Sequence, residues 1–561
     1  MRDGTVLRAD VYRPAAAGAY PVVLMRVPYN KDVAQAFVYQ HPAWYARHGY
    51  VVVVQDCRGR YASDGRFEPF RHEAEDGCDT VEWAASLPES NGNVGMYGFS
   101  YAGATQLLAA SEQPAALRCC IPAFTAGDFY DGWVYEGGAL HLAFVVSWVV
   151  KMLALPDAVH AGAWEAAAEI HARGDDFPSL FRERPLSELG LLRRTGIAPY
   201  FFDWLEHESR DEYWSAIGLP ERYDAITVPC LHIGGWYDVF AAGTVRNFVE
   251  LAARSSSDHR LIMGPWIHMP WAPEATGPSL GESFRNRVDG AQIEWFDRWL
   301  KPTEHVEPDA EAPRVSYFVM GANRWESSPQ WPPYDARTVL YLSSHGQANS
   351  RSGDGRLTVD PPPAGCPADV FVCDPGSPVA SAGGNSCCDP AVSPMGQECQ
   401  APVEVRNDVL VYSSGALRHD CEVTGVPAVT LHASSSAVDT DWVVRLVDVA
   451  PGGRAVNVSQ GVLRARYRRS LSEPEFLAPY AAYEFHVAMN PTSWVFRAGH
   501  RIRLQVTSSD FPAKDPNRNT GGRQGSAQPW ELAVATQAVY HDDQRPSALI
   551  LPTIRAGAAR W

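Results

Sequence analysis

Apolar residues in the first third of the chain fall in short, unbroken runs. "YPVVLMRVPY" at 20–29, "GYVVVVQDCRG" at 49–59, "GNVGMYGFS" at 92–100 and "RCCIPAFTA" at 118–126 are apolar along nearly their whole length rather than alternating. That pattern predicts strands buried on both faces, as in a parallel sheet. Between the runs lie stretches with helical spacing. "EAEDGCDTVEWAASLP" at 73–88 places acids early and apolar residues on one face, and "YAGATQLLAASEQ" at 101–113 follows the third run directly. Strands alternating with helices predict an α/β sheet with right-handed crossovers.

The pattern then changes twice. Residues 143–220 are helix-like, with "AWEAAAEIHARG" and "FFDWLEHESRDEYWSAI", and strand signals return at "VPCLHIGGWYD" (228–238) and "HRLIMGPWIH" (259–268). A helical block inserted into an α/β sheet reads as a cap. An amphipathic helix at 291–301 can close the domain, and the charged, proline-containing stretch at 302–313 reads as a linker. From 314 onward helix signals nearly vanish. Short, often alternating runs such as "RVSYFVM", "DVLVYSS", "DWVVRLVDVA" and "HRIRLQVTSS" are separated by turn residues. They predict an all-β sandwich, of jelly-roll form. The expected division is an α/β domain over 1–142 and 221–305, a cap over 143–220 and a β-sandwich over 314–561.

Size and charge narrow this picture. At 561 residues the chain exceeds what one core supports. With 48 basic against 65 acidic residues, its net charge of −17 repels phosphate backbones, so nucleic acid is not an expected partner. The longest apolar segment, at 143–155, is interrupted by Lys151 and is read as too short to span a bilayer. No basic-then-apolar leader pattern opens the sequence, which predicts a cytoplasmic protein without a membrane partner. Eleven cysteines, an odd number, cannot all pair. Cys57, Cys78, Cys119, Cys120 and Cys230 sit in apolar contexts and read as small buried thiols. Cys366, Cys373, Cys387, Cys388 and Cys399 share a loop rich in proline, glycine and serine. They fit a disulfide, and their spacing fits no C-x2-C metal pair, so no metal is predicted.

The chemistry concentrates at "NVGMYGFSYAGATQ" (93–106). Ser100 stands where a strand ends and a helix begins, flanked by Gly98, Ala102 and Gly103. A sharp strand-to-helix turn that raises a serine clear of the backbone requires small neighbours at such positions. The helix N-terminus offers N–H groups where an oxyanion would form. A serine needs a base, and the base needs an orienting acid; in this sheet type they follow in the order acid, then histidine. Asp238 in "GGWYD" and His268 in "GPWIH" each follow a strand directly. The competitors His232 and His259 lie inside or at the start of their strands, away from the carboxyl edge. A Ser100–His268–Asp238 triad is the expectation, and it requires no cofactor.

Taken together, "RVPYNK", "QDCRGRYASDGRF", "NVGMYGFSYAG", "GGWYD" and "GPWIH" resemble the CocE/NonD serine hydrolases, a group that includes esterases, X-Pro dipeptidyl-peptidases, α-amino-acid ester hydrolases and glutaryl acylases. The resemblance extends along nearly the whole chain, including the cap and the C-terminal jelly roll. It implies an α/β-hydrolase fold and hydrolysis of a small ester or amide through an acyl-enzyme. It also implies an oxyanion hole from the Tyr29 hydroxyl and the Tyr101 N–H, each such donor being worth ~3 kcal/mol. Members of the group are often dimers or larger, so a homo-oligomer is an expectation of the same kind. Asp56 and Arg58, by contrast, read as an ion-paired loop rather than as catalytic groups.

Aromatic residues cluster where the cap should face the site: Trp133, Tyr135, Trp148, Phe240 and Trp266. Resemblance to esterases of the group makes Trp133, Trp148 and Phe240 substrate-binding residues of an acyl pocket. For the two tryptophans, ordinary core packing is an equal alternative. An aromatic pocket favours apolar or aromatic acyl groups. The α-amino-acid ester hydrolases carry carboxylates just after the triad acid; here that stretch is "DVFAAG", without one. Glu206, Glu208 and Asp211 in the cap remain as alternative anchors for a substrate ammonium.

Overall fold

The computed structural model describes residues 1–34, 39–268, 288–301, 313–389, 391–392, 395–555, 557 and 559–561. The first apolar runs form the expected sheet. Its strands are β1 (Ala9–Tyr12), β2 (Tyr20–Val27), β3 (Val51–Asp56), β4 (Ser90–Phe99) and β5 (Leu117–Ala123). A short hairpin, β6 (Tyr135–Glu136) and β7 (Ala139–Leu140), lies outside it. β8 (Cys230–Tyr237), β9 (His259–Ile267), β10 (Val315–Val319) and β11 (Arg324–Ser328) complete it in the order β1-β3-β2-β4-β5-β8-β9-β10-β11. Strands β3 to β10 run parallel; only the edges β1 and β11 are antiparallel. All six residues of β3 and all eight of β8 are buried, which is why their sequences carry no polar alternation. This is an α/β-hydrolase sheet followed by an all-β region.

Two expectations shift. The run "RVSYFVM" was assigned to the β-sandwich, yet β10 lies parallel to β9, with Val315 opposite Leu261, and so extends the α/β sheet. A strand's apolar pattern records that it is buried, not which sheet it joins. The second concerns the apolar segment at 143–155. It belongs to a continuous 19-residue helix, Leu142–His160, long and apolar enough to cross a membrane. Two thirds of its most apolar window is buried inside the protein, where it forms the base of the helical cap. The helix passes through Pro156 because the preceding turn, Trp148–Ala154, is π-helical and absorbs the break in the hydrogen-bond ladder. The proposed linker falls almost wholly at 302–312, outside the described residues.

The C-terminal region is built from strands between Arg337–Ser343 and Ala548–Pro552, most of them in one wrapped sheet. At one end of that sheet, Asp441–Val449 pairs with Ala455–Arg464 on one side and Arg501–Thr507 on the other. The proline- and glycine-rich loop at 350–400 does not merely cover this region. It reaches across to the α/β sheet, where Asn385 lies against β8. Within it Cys387 and Cys388 are bonded to each other, and the remaining cysteines, all among the described residues, are free thiols.

Candidate active site

Four side chains project from the carboxyl edge of the parallel sheet. Tyr29 stands two residues past β2, Ser100 directly after β4, Asp238 after β8 and His268 after β9. This is the edge where open α/β sheets gather their ligands. Ser100 has φ 60° and ψ −125°, a left-handed conformation that strains a non-glycine residue. Its neighbours explain how that turn fits. A Cβ on Gly98, itself at φ 141°, would come within 2.7 Å of the Ala102 side chain. One on Gly103 would come within 2.8 Å of the Ala123 carbonyl. The two glycines therefore let β4, the turn and helix Tyr101–Ser111 close upon one another.

His268 Nε2 lies 3.1 Å from Ser100 Oγ, and His268 Nδ1 lies 2.7 Å from Asp238 Oδ1. All three residues are buried. A neutral imidazole with its Nδ1–H donated to Asp238 presents an Nε2 lone pair to the serine, the arrangement that general-base activation of a hydroxyl requires. His232 and His259 lie on the same strands, but in the amino-terminal half of β8 and at the start of β9. Burial keeps both imidazoles neutral and pushes His259 down to about 4.

Tyr29 touches two groups of the site. Its hydroxyl accepts a 2.9 Å hydrogen bond from the Trp148 indole N–H and interacts with Ser100. Trp148 sits on the π-helical turn, so that irregularity delivers the indole to the site. With one lone pair taken by the indole, the phenolic proton remains free to donate. Burial raises the Tyr29 pKa, which keeps that proton in place where a free tyrosine would ionise. The Tyr101 N–H is the first of the helix and has no intrahelical acceptor. Its side chain is fixed from behind: the Tyr101 hydroxyl donates to Glu73 at 2.9 Å, and Glu73 is paired with the buried Arg26 at 2.7 Å.

Trp133, Trp148 and Phe240 form one aromatic wall. The Trp133 and Phe240 rings are 4.2 Å apart, Trp133 and Trp148 are 5.6 Å apart, and Phe240 meets the His268 ring edge-on at 5.2 Å. Trp266 instead packs 6.0 Å from Phe124 and 6.0 Å from Trp325, and the Tyr135 hydroxyl donates to the Trp204 carbonyl. Of the three carboxylates offered as ammonium anchors, two are engaged by other groups and one is exposed. Glu208 accepts the Gln524 N–H and pairs with Arg466. Asp211 caps its helix at Tyr213 and bonds His207, and Glu206 is exposed.

Sequence reasoning overlooked two residues that hold this geometry. Arg60, fully buried, donates to the Pro28 carbonyl beside Tyr29 and to the Met152 and Leu153 carbonyls of the cap helix, and pairs with Asp157. Pro156 has no N–H to give the Met152 carbonyl, so Arg60 satisfies it. In the same loop Arg58 forms the expected ion pairs, with Asp76 and Asp3, whereas Asp56 accepts the backbone N–H of Lys31. Asn385 donates to the Trp236 and Asp238 carbonyls, at 2.9 Å each, and so holds the turn that carries the acid. Asn385 belongs to no local motif, and Arg60, although it lies within "QDCRGRYASDGRF", acts like Asn385 on chain far away in sequence. Arg60→Met is expected to strand Asp157 and three carbonyls in the interior. That should cost about 3–5 kcal/mol, read as a lowered urea midpoint by tryptophan fluorescence; an unchanged midpoint would remove Arg60 from this role.

Comparison with known proteins bears on the family and the fold. A family model described as X-Pro dipeptidyl-peptidase (S15 family) matches residues 3–270, and one described as X-Pro dipeptidyl-peptidase C-terminal non-catalytic domain matches residues 309–550. Cocaine esterase from Rhodococcus sp. (strain MB1 Bresler) is 37% identical over 569 residues, covering 99% of this chain and 97% of that protein. Among solved structures, an α-amino acid ester hydrolase is similar with a TM-score of 0.81 at 26% identity, over 99% of this chain and 95% of that one. An aminopeptidase from the marine sediment archaeon Thaumarchaeota archaeon is similar with a TM-score of 0.81 at 25% identity and the same coverage.

Proposed function

This chain belongs to the CocE/NonD group of the X-Pro dipeptidyl-peptidase (S15) family and is a serine ester hydrolase; from that premise we propose that Ser100, His268 and Asp238 are its catalytic triad and that it prefers esters with an aromatic acyl group. The observation that carries the first part is the unbroken chain of contacts from Ser100 Oγ through His268 to Asp238.

In the proposed reaction His268 Nε2 takes the Ser100 proton as Oγ attacks the acyl carbonyl. The carbonyl electrons move onto oxygen, and the Tyr29 hydroxyl and Tyr101 N–H receive that charge. Asp238 fixes the tautomer of the neutral imidazole and stabilises the imidazolium that forms. The imidazolium then protonates the departing alkoxide, leaving the acyl group on Ser100. Water, deprotonated by the same nitrogen, releases the acid and restores the serine.

The aromatic preference rests on Phe240, edge-on to His268, and on Trp133 packed against Phe240. A substrate ring buried against them gains about 1.5–3 kcal/mol over a small acyl group, or roughly 10- to 150-fold. Glu208 and Asp211 are already engaged by protein partners, so neither is free to hold a substrate ammonium, which favours the esterase reading over dipeptide release. A kinetic panel tests this: p-nitrophenyl benzoate, acetate and glycinate, with X-Pro-anilides. A kcat/KM at least about tenfold higher for benzoate than for acetate is expected. Equal values would remove the aromatic preference, and turnover confined to X-Pro-anilides would replace it with peptidase activity.

A further inference from the structure

The parallel strands that deliver Asp238 and His268 carry a second cluster at their other ends. Cys230 opens β8, and His232 lies two residues on, on the same face. His259 opens β9 and stands opposite Cys230 in register, while Cys120 of β5 stands opposite Cys230 on the other side. All four residues are fully buried. The Cys230 sulfur and one nitrogen of each imidazole lie within 4.8 Å of one another. The rings of His232 and His259 are 6.1 Å apart at 38°, and Phe248 of helix Ala241–Arg254 covers His232.

The imidazoles are the anomaly. Neither nitrogen of either ring has a hydrogen-bond partner among the described residues. Each buried neutral imidazole holds one N–H donor and one lone pair, and leaving both unmet is costly. Cys230, by contrast, has weak thiol contacts, to the Val228 carbonyl at 3.4 Å and to the Cys120 sulfur.

We propose that Cys230, His232 and His259, with Cys120 as the fourth ligand, bind one zinc-type transition-metal ion between β5, β8 and β9. The donor set is sulfur and imidazole nitrogen, which suits Zn²⁺ and its neighbours and excludes Mg²⁺ and Ca²⁺. Tetrahedral bonds of about 2.3 Å to sulfur and 2.0–2.1 Å to nitrogen place ligand atoms ~3.3–3.8 Å apart; small side-chain rotations bring the Cys230 sulfur and the two imidazole nitrogens to that spacing, and Cys120 would join through its contact with the Cys230 sulfur. Two thiolates and two neutral imidazoles around a divalent ion leave no net charge in the apolar interior. Each ligating thiol releases its proton to solvent as the metal enters. Since no ligand is exposed, entry accompanies folding. The ion's role would be to fix the three strands in register, not to take part in hydrolysis.

Cobalt is the probe. The intact protein, expressed with Co²⁺ or Zn²⁺ in the medium and passed over a desalting column with chelator, is expected to retain one equivalent per chain. The cobalt form should show tetrahedral visible bands and a thiolate-to-cobalt charge-transfer band. His232→Asn and His259→Asn should each retain less than about a tenth of an equivalent, with kcat of the folded variants unchanged on the preferred ester. Wild type without retained metal, or variants that hold as much as wild type, would overturn the proposal. If the variants do not fold, the wild-type cobalt spectrum decides: without the thiolate band the site does not exist.

Discussion

Ser100→Ala is expected to lower kcat by about 10⁵- to 10⁶-fold while the protein folds and binds substrate as before. The magnitude follows from how a triad works. Serine and histidine act as one unit, so deleting either forfeits nearly all of their joint contribution, and only binding and the oxyanion donors remain. The structure gives a reason why folding should survive. Ser100 holds φ at 60°, a strained value for alanine as well as for serine, and its hydroxyl bonds to His268 and Tyr29, both groups of the site itself. The variant therefore loses chemistry rather than packing. Circular dichroism and thermal unfolding like those of wild type should accompany the loss. Residual kcat above about a hundredth of wild type would mean that another group attacks the ester.

Tyr29→Phe is expected to lower kcat by about 10²- to 10³-fold with little change in KM, corresponding to roughly 2.7–4 kcal/mol. KM should hardly move, because the donor meets full negative charge only after the carbonyl has been attacked. The hydroxyl has a second duty, as acceptor of the Trp148 indole N–H, and its loss leaves that donor buried and unpaired at about 1–3 kcal/mol of stability. Trp148→Phe separates the two duties. It removes the indole contact but keeps the phenol, and should reduce kcat less than Tyr29→Phe does. Steady-state kinetics on one aryl ester measure all three proteins, and wild-type kcat in Tyr29→Phe would exclude Tyr29 from the oxyanion hole.

The sequence exposed those parts of the molecule that obey local rules. The elbow at Ser100 was legible because its small residues stand within six positions, Gly98 where Ala102 approaches and Gly103 beside them, although what Gly103 clears is the Ala123 carbonyl of the next strand. Strands β2 to β5 were legible because strands buried on both faces admit few polar residues. What escaped notice depends on partners distant in sequence. The run Val315–Val319 has the composition of a sandwich strand, and only its pairing with β9 assigns it to the α/β sheet. The helix Leu142–His160 outruns its apolar core because a π-turn carries it through Pro156. Arg60 and Asn385 satisfy carbonyls more than ninety residues away, at Leu153 and Trp236. The cluster of Cys230, His232 and His259 has no sequential metal spacing, since two adjacent strands assemble it. Trp148 was noticed as an aromatic wall, while its indole bond to Tyr29 required the fold.

These residues also show how the C-terminal region bears on hydrolysis. The β8–Asp238 turn receives both amide protons of Asn385 from that region, so the acid is positioned by a part of the chain that contributes nothing to the reacting atoms. Such support is what keeps an imidazole aligned with its serine when a shift of an ångström would be costly.

The central claim is that an acyl group passes through Ser100, and mass spectrometry of the acid-quenched, digested enzyme tests it most directly. The enzyme would be mixed with excess p-nitrophenyl benzoate, quenched in acid within the first turnovers and digested. One benzoyl group is expected on the peptide that contains Ser100, and none in Ser100→Ala. Turnover of the ester with no acylated protein, or with the benzoyl group on another residue, would contradict the account.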